Sequence, residues 1–307
     1  MYLSTITGNV INKFNNQKIN VLYEPQRNFF DIILAQCGFT LFFDKQYGFF
    51  ETVKNNIVLL DNSTIGLNNY NVGITNNIIG YTSNKFFSSQ HLNTLIFTHS
   101  YRPGKIKKED LLLMSNNLSR EKKVFFSQDV SDSWNMFNNK VIIKYGIPTD
   151  ILYSSRPTEE RTEDVLILNF ENSQNAESLA GVLESNGIKI NLIKDLTGDL
   201  NAIRELLNRY KVVIDFNEHN IINILCAISC GCSAVTYMGD MLSNNYINTP
   251  NLFSARSVQD LISSTKQALS HRVTISTEYI HENYSFDTFK DNISKLIIAA
   301  NNEAFVL

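Results

Sequence analysis

Residues 210–237 have the sequence YKVVIDFNEHNIINILCAISCGCSAVTY, and this stretch decides the fold. The apolar, β-branched run at 210–214 predicts a buried strand. Asn217 is a suitable N-cap for a helix, Glu218 suits its first turn, and Gly231 ends it before the next apolar run. The stretch therefore predicts a strand–loop–helix–strand unit. Its loop follows the carboxyl end of a strand, where open α/β sheets bind ligands.

Outward from this stretch, strands alternate with helices along the whole chain. Predicted strands lie at 18–23, 39–44, 56–60, 70–74, 93–98, 123–126, 140–144, 164–169, 188–193 and 251–253. Predicted helices lie at 28–37, 107–117, 130–137, 173–185, 200–208, 258–270, 276–282 and 286–301. Such alternation is typical of doubly wound α/β domains with parallel sheets.

A polar segment at 154–163 contains Pro157 and lacks apolar periodicity, so it is the best predicted domain boundary. We expect an N-terminal α/β domain at 1–153 and a C-terminal α/β domain at 154–285. The last segment, 286–307, is expected to be a helix that packs back on the N-terminal domain.

Composition indicates a globular protein. The chain has 307 residues, of which 43% are hydrophobic and 19% charged, and its formal net charge of -3 gives no overall attraction to nucleic acid. Its four cysteines are interpreted as small buried hydrophobes rather than zinc ligands, and reduced thiols suggest a cytoplasmic location. No apolar run approaches the roughly 20 residues that cross a bilayer, so a soluble protein without a transmembrane segment is expected.

Four segments together resemble the GT-B glycosyltransferases, and family 4 of the retaining enzymes in particular. They are Glu218 with Ala227-Ile228-Ser229-Cys230-Gly231, Ile96-Phe97-Thr98-His99, residues 140–148 and Tyr284-Ser285-Phe286-Asp287-Thr288-Phe289. The resemblance implies two Rossmann-like domains that face a cleft, with the acceptor in the first and a nucleotide-sugar donor in the second. It implies a hexosyl- or pentosyltransferase that acts on an unidentified acceptor, with a UDP-sugar as the expected co-substrate and no other cofactor or metal.

Two departures from the family pattern concern the donor site. Cys226 stands where the family has a second Glu, and a thiol cannot accept the two ribose hydroxyl hydrogen bonds that a carboxylate accepts. The segment 169–174 carries no cation where the family grips the diphosphate. Helix N-termini near Ser173 and Asn217 are alternative phosphate-binding groups. Possible cationic partners are Arg156, Arg161 and Lys194.

The candidate catalytic residues are His99, Glu218 and Glu24. The resemblance implies that Glu218 hydrogen-bonds sugar hydroxyls and that His99 binds the sugar or stabilises developing charge. Glu24 follows the first predicted strand, where a general base for the acceptor would lie, and Asp44 is an alternative base.

The remaining candidate residues are expected to bind either the donor or the acceptor. Candidate donor-binding residues are His219, Asn220, Asn223, Ser173, Lys194 and Arg156, and candidate acceptor-binding residues are Arg27, Tyr101 and Arg102. Glycine-rich phosphate loops are absent, which counts against dinucleotide oxidoreductases and P-loop kinases. No acidic pair ends a strand with the spacing of a metal-dependent transferase, so no metal is expected.

Other functions stay open at this point. A viral sugar transferase that acts on modified DNA, in a host cytoplasm, would use the basic run formed by Lys105, Lys107, Lys108, Arg120, Lys122 and Lys123. Cys226 and the missing cations instead favour a catalytically silent GT-B-like module that binds a partner or a glycan. A sugar-phosphate or nucleotide enzyme of similar fold, such as an epimerase, is a third alternative.

Overall fold

The computed structural model forms two compact units, Met1–Lys144 with Phe289–Leu307, and Tyr145–Thr288. It describes residues 20–24, 40–44, 57–60, 72–75, 93–98, 121–126, 131–132, 134–168, 173–194, 196, 200–216, 221–237, 249–271 and 277–303. No helix in these ranges combines the length and the hydropathy that a membrane span requires.

The first unit contains a seven-stranded sheet in which all neighbouring strands are parallel. Its strands are β1 (Asn20–Glu24), β2 (Thr40–Asp44), β3 (Ile57–Leu60), β4 (Val72–Thr75), β5 (Asn93–Thr98), β6 (Lys122–Phe125) and β7 (Lys140–Ile142). Their order is β3-β2-β1-β4-β5-β6-β7, so the chain winds outward from the β1–β4 pair in both directions. This is the doubly wound topology that the sequence predicts.

The predicted helix at 130–137 does not continue to its predicted end. The backbone N–H of Trp134 donates to the carbonyl of Ser131, and that of Phe137 donates to the carbonyl of Trp134, both at 3.2 Å. These bonds span three residues and form turns rather than α-helix. The rings of Trp134 and Phe137 stack at 5.6 Å and are buried, so packing shapes this segment. The predicted helices at 28–37 and 107–117 lie outside the described residues.

The second unit contains a five-stranded parallel sheet in the order β12-β11-β10-β8-β9. Its strands are β8 (Glu163–Leu168), β9 (Ile190–Ile193), β10 (Tyr210–Asp215), β11 (Ser233–Tyr237) and β12 (Leu252–Ala255). The helices described from here on are α1 (Ser173–Ser185), α2 (Leu200–Leu207), α3 (Ile222–Ser229), α4 (Val258–Ser270), α5 (Thr277–Asn283) and α6 (Phe286–Glu303).

The core of the second unit lies between one face of this sheet and helices α1 and α4. Val212 and Ile214 of β10 pack with buried residues of α1 and α4, and so does Phe216, the residue directly after this strand. Helix α3 contributes nothing to this cluster but contacts β10 and β11, so it covers the other face. All eight residues of α3 are buried, which places this helix inside the unit.

The change between units falls at 144/145, earlier than the predicted boundary after residue 153. Residues 145–153 pack within the second unit. Ile147 forms a parallel bridge with Ser285, and its N–H donates to the carbonyl of Tyr284 at 2.9 Å. The polar run at 154–163 therefore lies inside the second unit. Helix α6 begins in that unit, and residues from 289 onward are grouped with the first.

Candidate functional site

The carboxyl edge of the second sheet contains a topological switch point between β8 and β10. From β8 the chain moves outward to β9, whereas β10 leads the other way to β11 and β12. Ligands of open α/β sheets bind at such a point. Helix α1 follows β8 and helix α3 follows β10, so both helices begin at this edge. Their first-turn N–H groups and dipoles favour an anionic ligand there.

Helix α3 begins later than the sequence suggests. Its first residue is Ile222 and its N-cap is Ile221, rather than Asn217. An isoleucine has no side-chain acceptor, so it cannot cap the first-turn N–H groups. The first-turn N–H groups of α3 therefore make no hydrogen bond to an N-cap side chain.

Three buried polar residues lie at the same edge: Asp215, Thr236 and Asn223. Asp215 is the last residue of β10 and is 1% exposed, and it pairs with Thr236 of β11. Because Ile214 and Phe216 face the core on the α1 side, Asp215 lies on the α3 face. Asn223, a predicted donor-binding residue, stands in the first turn of α3 and is 3% exposed. No sequence motif assigned a role to Asp215, although an Asp at the end of a buried strand is a usable signal.

Cys226 lies in the interior of the second unit. It is fully buried in α3, and burial together with nearby Cys230 raises the pKa of its thiol well above the usual range. It therefore stays a neutral thiol without access from solvent. Cys230 and Cys232 are also free and buried, which confirms the interpretation of these three cysteines as small hydrophobes. Cys37 lies outside the described residues.

No group of three or more His, Cys, Asp and Glu residues within the described ranges has the geometry to hold a metal ion.

Arg161 is at the amino edge of the sheet and does not serve as the missing phosphate cation. It is 4% exposed, and its guanidinium donates to the carbonyl oxygens of Cys230 at 2.6 Å, Tyr210 at 2.7 Å and Leu207 at 3.3 Å. Tyr210 begins β10 and Cys230 follows the last residue of α3. A six-residue strand is about 20 Å long, so this guanidinium lies far from the carboxyl edge.

Arg156 also lies at the amino edge. Its carbonyl accepts hydrogen bonds from Ser154 Oγ at 3.1 Å and from Arg161 Nη2 at 3.3 Å. The neighbouring Ser155 N–H donates to Oδ1 of Asn208, two residues before β10, at 2.8 Å. Arg156 therefore lies at the edge of the sheet opposite to the expected donor site, contrary to its prediction as a donor-binding residue.

Besides Asn223, two predicted donor-binding residues lie at the carboxyl edge. Ser173 is the first residue of α1, and Lys194 is exposed and directly follows β9. In the first sheet, Glu24 ends β1 opposite Thr75 of β4, next to that sheet's own switch point. Asp44 ends the neighbouring strand β2. The sequence thus placed all four at the ends where α/β sheets bind ligands.

Seven predicted site residues lie outside the described residues, and their roles stay predictions: Arg27, His99, Tyr101, Arg102, Glu218, His219 and Asn220.

The basic run proposed for DNA binding loses one of its members. Lys123 is fully buried, its Nζ donates to the Glu121 carbonyl at 2.8 Å, and it lies 5.6 Å from the centre of the Phe137 ring. Burial lowers the pKa of Lys123, with Glu121 acting in the opposite direction. Lys123 therefore cannot contact a phosphate backbone, and Lys122 is half-buried.

Comparison with known proteins gives a result only at the level of structure. No protein-family model matches the sequence, and no curated protein matches it at a significant level. Solved structures match over nearly the whole chain. HepE from Anabaena, in complex with UDP and glucose, is 11% identical, with 92% of this chain and 99% of that chain covered and a TM-score of 0.67.

Two further solved structures match this chain over a similar length. Sucrose-phosphate synthase from Thermosynechococcus elongatus is 10% identical, with 91% of this chain and 98% of that chain covered and a TM-score of 0.66. A glycosyltransferase from Rickettsia africae is 10% identical, with 92% and 99% covered and a TM-score of 0.61. The fold is GT-B. This confirms the expected fold class of two Rossmann-like units, while membership of family 4 and a viral origin stay predictions.

Proposed function

We propose that this GT-B chain is a glycosyltransferase whose second unit holds a nucleotide-sugar donor, with a UDP-sugar as the expected donor. The observation that carries the proposal is the carboxyl edge of the second sheet, where α1 and α3 both begin beside the β8–β10 switch point. Two helix starts at one site suit the two phosphates of a nucleoside diphosphate. A structural neighbour, HepE, has been solved with UDP-glucose, which supports this choice of ligand.

The proposed roles follow the position of each residue. The first-turn N–H groups of α1, from Ser173 onward, and of α3 bind the diphosphate, and Lys194 adds positive charge beside β9. Asn223 supports the start of α3. By the family resemblance, Glu218 binds sugar hydroxyls, with His219 and Asn220 beside it, and His99 meets the sugar.

The acceptor is assigned to the first unit. Glu24, at the end of β1, is the candidate base if the reaction inverts the anomeric centre, and Arg27, Tyr101 and Arg102 are its predicted neighbours. The acceptor itself, whether a glycan, a small molecule or modified DNA, stays unidentified. A cytoplasmic location is likewise part of the proposal.

Calorimetry with UDP-, GDP- and CDP-sugars tests the donor assignment. We expect one of them to bind. We expect Glu218→Ala to weaken binding of the sugar nucleotide about tenfold and to leave binding of the free nucleoside diphosphate unchanged, because Glu218 is proposed to contact only the sugar. Glu184→Ala, an exposed glutamate near the end of α1, is the matched control. If the wild-type chain binds none of the panel, the proposal is wrong.

A second candidate function is a GT-B-like module that binds a nucleotide sugar or glycan without turnover. It is favoured by the burial of Cys226, which leaves the second carboxylate of the family without a replacement at that position. Release of UDP from a bound UDP-sugar separates the two functions. Slow hydrolysis that is lost in Glu218→Ala supports an enzyme, and stable binding with no release under any acceptor condition supports the module.

A further inference from the structure

The lysines and arginines of the second unit can be sorted by the edge of the sheet at which they lie. At or near the amino edge, four are held by neighbours: Arg161 by carbonyl oxygens, Lys211 by Asp164 at 2.8 Å, Arg209 by Glu163 at 3.9 Å, and Arg204 by Glu205 at 2.9 Å. Further cations away from the ligand edge are Arg156, Lys189, which precedes β9, and Lys266, which bonds Asn186 after α1.

Within the described part of the unit, this leaves two cations that directly follow the carboxyl end of a strand. Lys194 follows β9 and Arg256 follows β12, at opposite ends of the strand order. Lys194 already belongs to the proposed donor site. Arg256 was not singled out by any sequence motif.

The backbone of Arg256 is fixed while its side chain is exposed. Its N–H donates to Oδ2 of Asp260 at 3.2 Å, and the N–H of Asp260 donates to Oγ of Ser257 at 3.1 Å. The pattern is similar to a capping box, except that the Asp260 carboxylate accepts from Arg256, the residue before the N-cap, rather than from Ser257. Within the described residues, the Arg256 guanidinium makes no hydrogen bond or ion pair, so it remains available to a ligand.

The amino end of α3 and Arg256 lie at the same edge of the sheet, since each follows the carboxyl end of a parallel strand. Helix α3 packs on β10 and β11, and β11 is the direct neighbour of β12, one strand spacing of about 5 Å away. Because α3 follows β10, its start lies about two strand spacings, or about 10 Å, from the end of β12, and a long side chain that leaves β12 can approach an anion held there. A guanidinium stays protonated and can bind phosphate oxygens through two parallel N–H donors.

We propose that Arg256 is a donor-binding residue whose guanidinium contacts the diphosphate of the nucleotide sugar. It thereby replaces the cation that the loop after β8 lacks. This inference rests on the proposed function and assigns one charged contact within that donor site.

Isothermal titration with UDP, or with GDP, CDP or ADP if one of these binds the wild type more tightly, tests the contact at low and high ionic strength. We expect Arg256→Gln to weaken binding about tenfold at low ionic strength, because it removes a charge-assisted hydrogen bond. Arg256→Lys, which keeps the charge but not the paired donors, should lose less. Arg209→Gln is the matched control, since Arg209 is also exposed but lies at the amino edge.

Each outcome bears on the inference separately from the proposed function. A loss in Arg256→Gln that is absent in Arg209→Gln supports it, provided that both variants keep the wild-type thermal midpoint. Unchanged affinity in Arg256→Gln, with good binding by the wild type, overturns the Arg256 contact and leaves the glycosyltransferase proposal standing. Equal losses in both variants show only a general effect of charge and also overturn it. Failure of the wild type to bind any of the nucleotides overturns both proposals.

Discussion

Arg161 places a permanent positive charge inside the second unit. Its two terminal nitrogens donate to four backbone carbonyl oxygens, those of Arg156, Leu207, Tyr210 and Cys230. A buried charge is costly unless it is hydrogen-bonded, and these carbonyls compensate for the lost hydration. The same guanidinium fixes the end of α3, the α2–β10 turn and the segment at 154–156 relative to one another.

Gly231 is required by this arrangement, and a series of glycine substitutions tests it. Gly231 has φ +78°, and a Cβ there would lie 2.6 Å from Ser154 Oγ and 2.8 Å from Arg161 Nη2. We expect Gly231→Ala to lower the free energy of unfolding by about 2–5 kcal/mol, from left-handed strain plus overpacking. Urea denaturation provides the measurement.

Two other glycines separate these causes. Gly187 has the same φ but open space around its Cβ position, so Gly187→Ala should cost only about 1–2 kcal/mol. Gly181 lies inside α1 and also has open space around its Cβ position, so Gly181→Ala should raise the free energy of unfolding by about 0.5–1 kcal/mol. Equal effects of the Gly231 and Gly187 substitutions would contradict the proposed clash.

The buried thiols predict a loss of stability at alkaline pH. Burial raises the pKa of Cys232 to about 11 from its usual 9.0, although nearby Arg161 acts in the opposite direction. Above pH 9 this thiol ionises in the unfolded chain and lowers the free energy of the unfolded state, whereas in the folded chain it stays protonated up to about pH 11. The free energy of unfolding should therefore fall between about pH 9 and pH 11, by about 2–3 kcal/mol for this group.

Urea denaturation at pH 8 and pH 11 measures this effect, and Cys232→Ala should show a smaller fall than the wild type. Burial also raises the pKa of Tyr284 to about 12, which adds a fall above pH 10, so Tyr284→Phe is needed to separate the two. If wild type and Cys232→Ala lose the same free energy over this range, the thiol does not ionise differently in the two states.

At the scale of whole elements, α3 and α4 begin in different ways. Helix α4 has a side-chain cap, because Ser257 accepts from the N–H of Asp260. Helix α3 begins after Ile221, whose side chain has no acceptor. The helix that lies beside the switch point thus lacks a side-chain cap at its N-cap, whereas the helix that follows the outer strand has one.

The cap of α4 should make a measurable contribution to stability. We expect Ser257→Ala to cost about 1 kcal/mol, because the first-turn N–H of Asp260 loses its acceptor. Ser263→Ala is the matched control in the same helix, since the Ser263 hydroxyl bonds only carbonyls of its own helix and alanine favours helix. Similar losses for both variants, measured by urea denaturation, would show that the Ser257 contact has no special weight.

At the scale of the whole molecule, each unit has a parallel sheet, and in the second unit the two edges of the sheet are built differently. In the second unit the amino edge is closed by Arg161 and the segment at 154–156, whereas the carboxyl edge receives the starts of α1 and α3. Hydrogen bonds and packing thus stabilise one edge, and the ligand is expected at the other.

Hydrogen exchange with and without UDP tests this division. We expect added protection at the starts of α1 and α3, because a bound diphosphate accepts hydrogen bonds from their N–H groups. Residues 154–161, at the opposite edge, are the internal control and should not change. Protection confined to 154–161 would place the ligand at the wrong edge for this proposal.

The sequence by itself determined the elements and the edge of the sheet at which a ligand is expected. Helices α1 and α4 have the predicted bounds, and the ten strands predicted outside the opening stretch are present within a few residues, because period and end signals are local properties of the chain. Since parallel strands share a carboxyl edge, the sequence also located Ser173, Lys194, Glu24 and Asn223 at the edges where ligands bind.

Only the tertiary structure decided which polar and charged groups are free to act. Arg161 and Lys123 look like available cations in sequence, but both are buried, and Arg161 bonds partners 46 to 69 residues later in the chain. Cys226 occupies the position of a carboxylate but faces the interior. Burial depends on contacts between distant segments, and no local pattern reports them. That is why the sequence predicted the edge of the candidate site but did not identify Arg256 as its candidate cation.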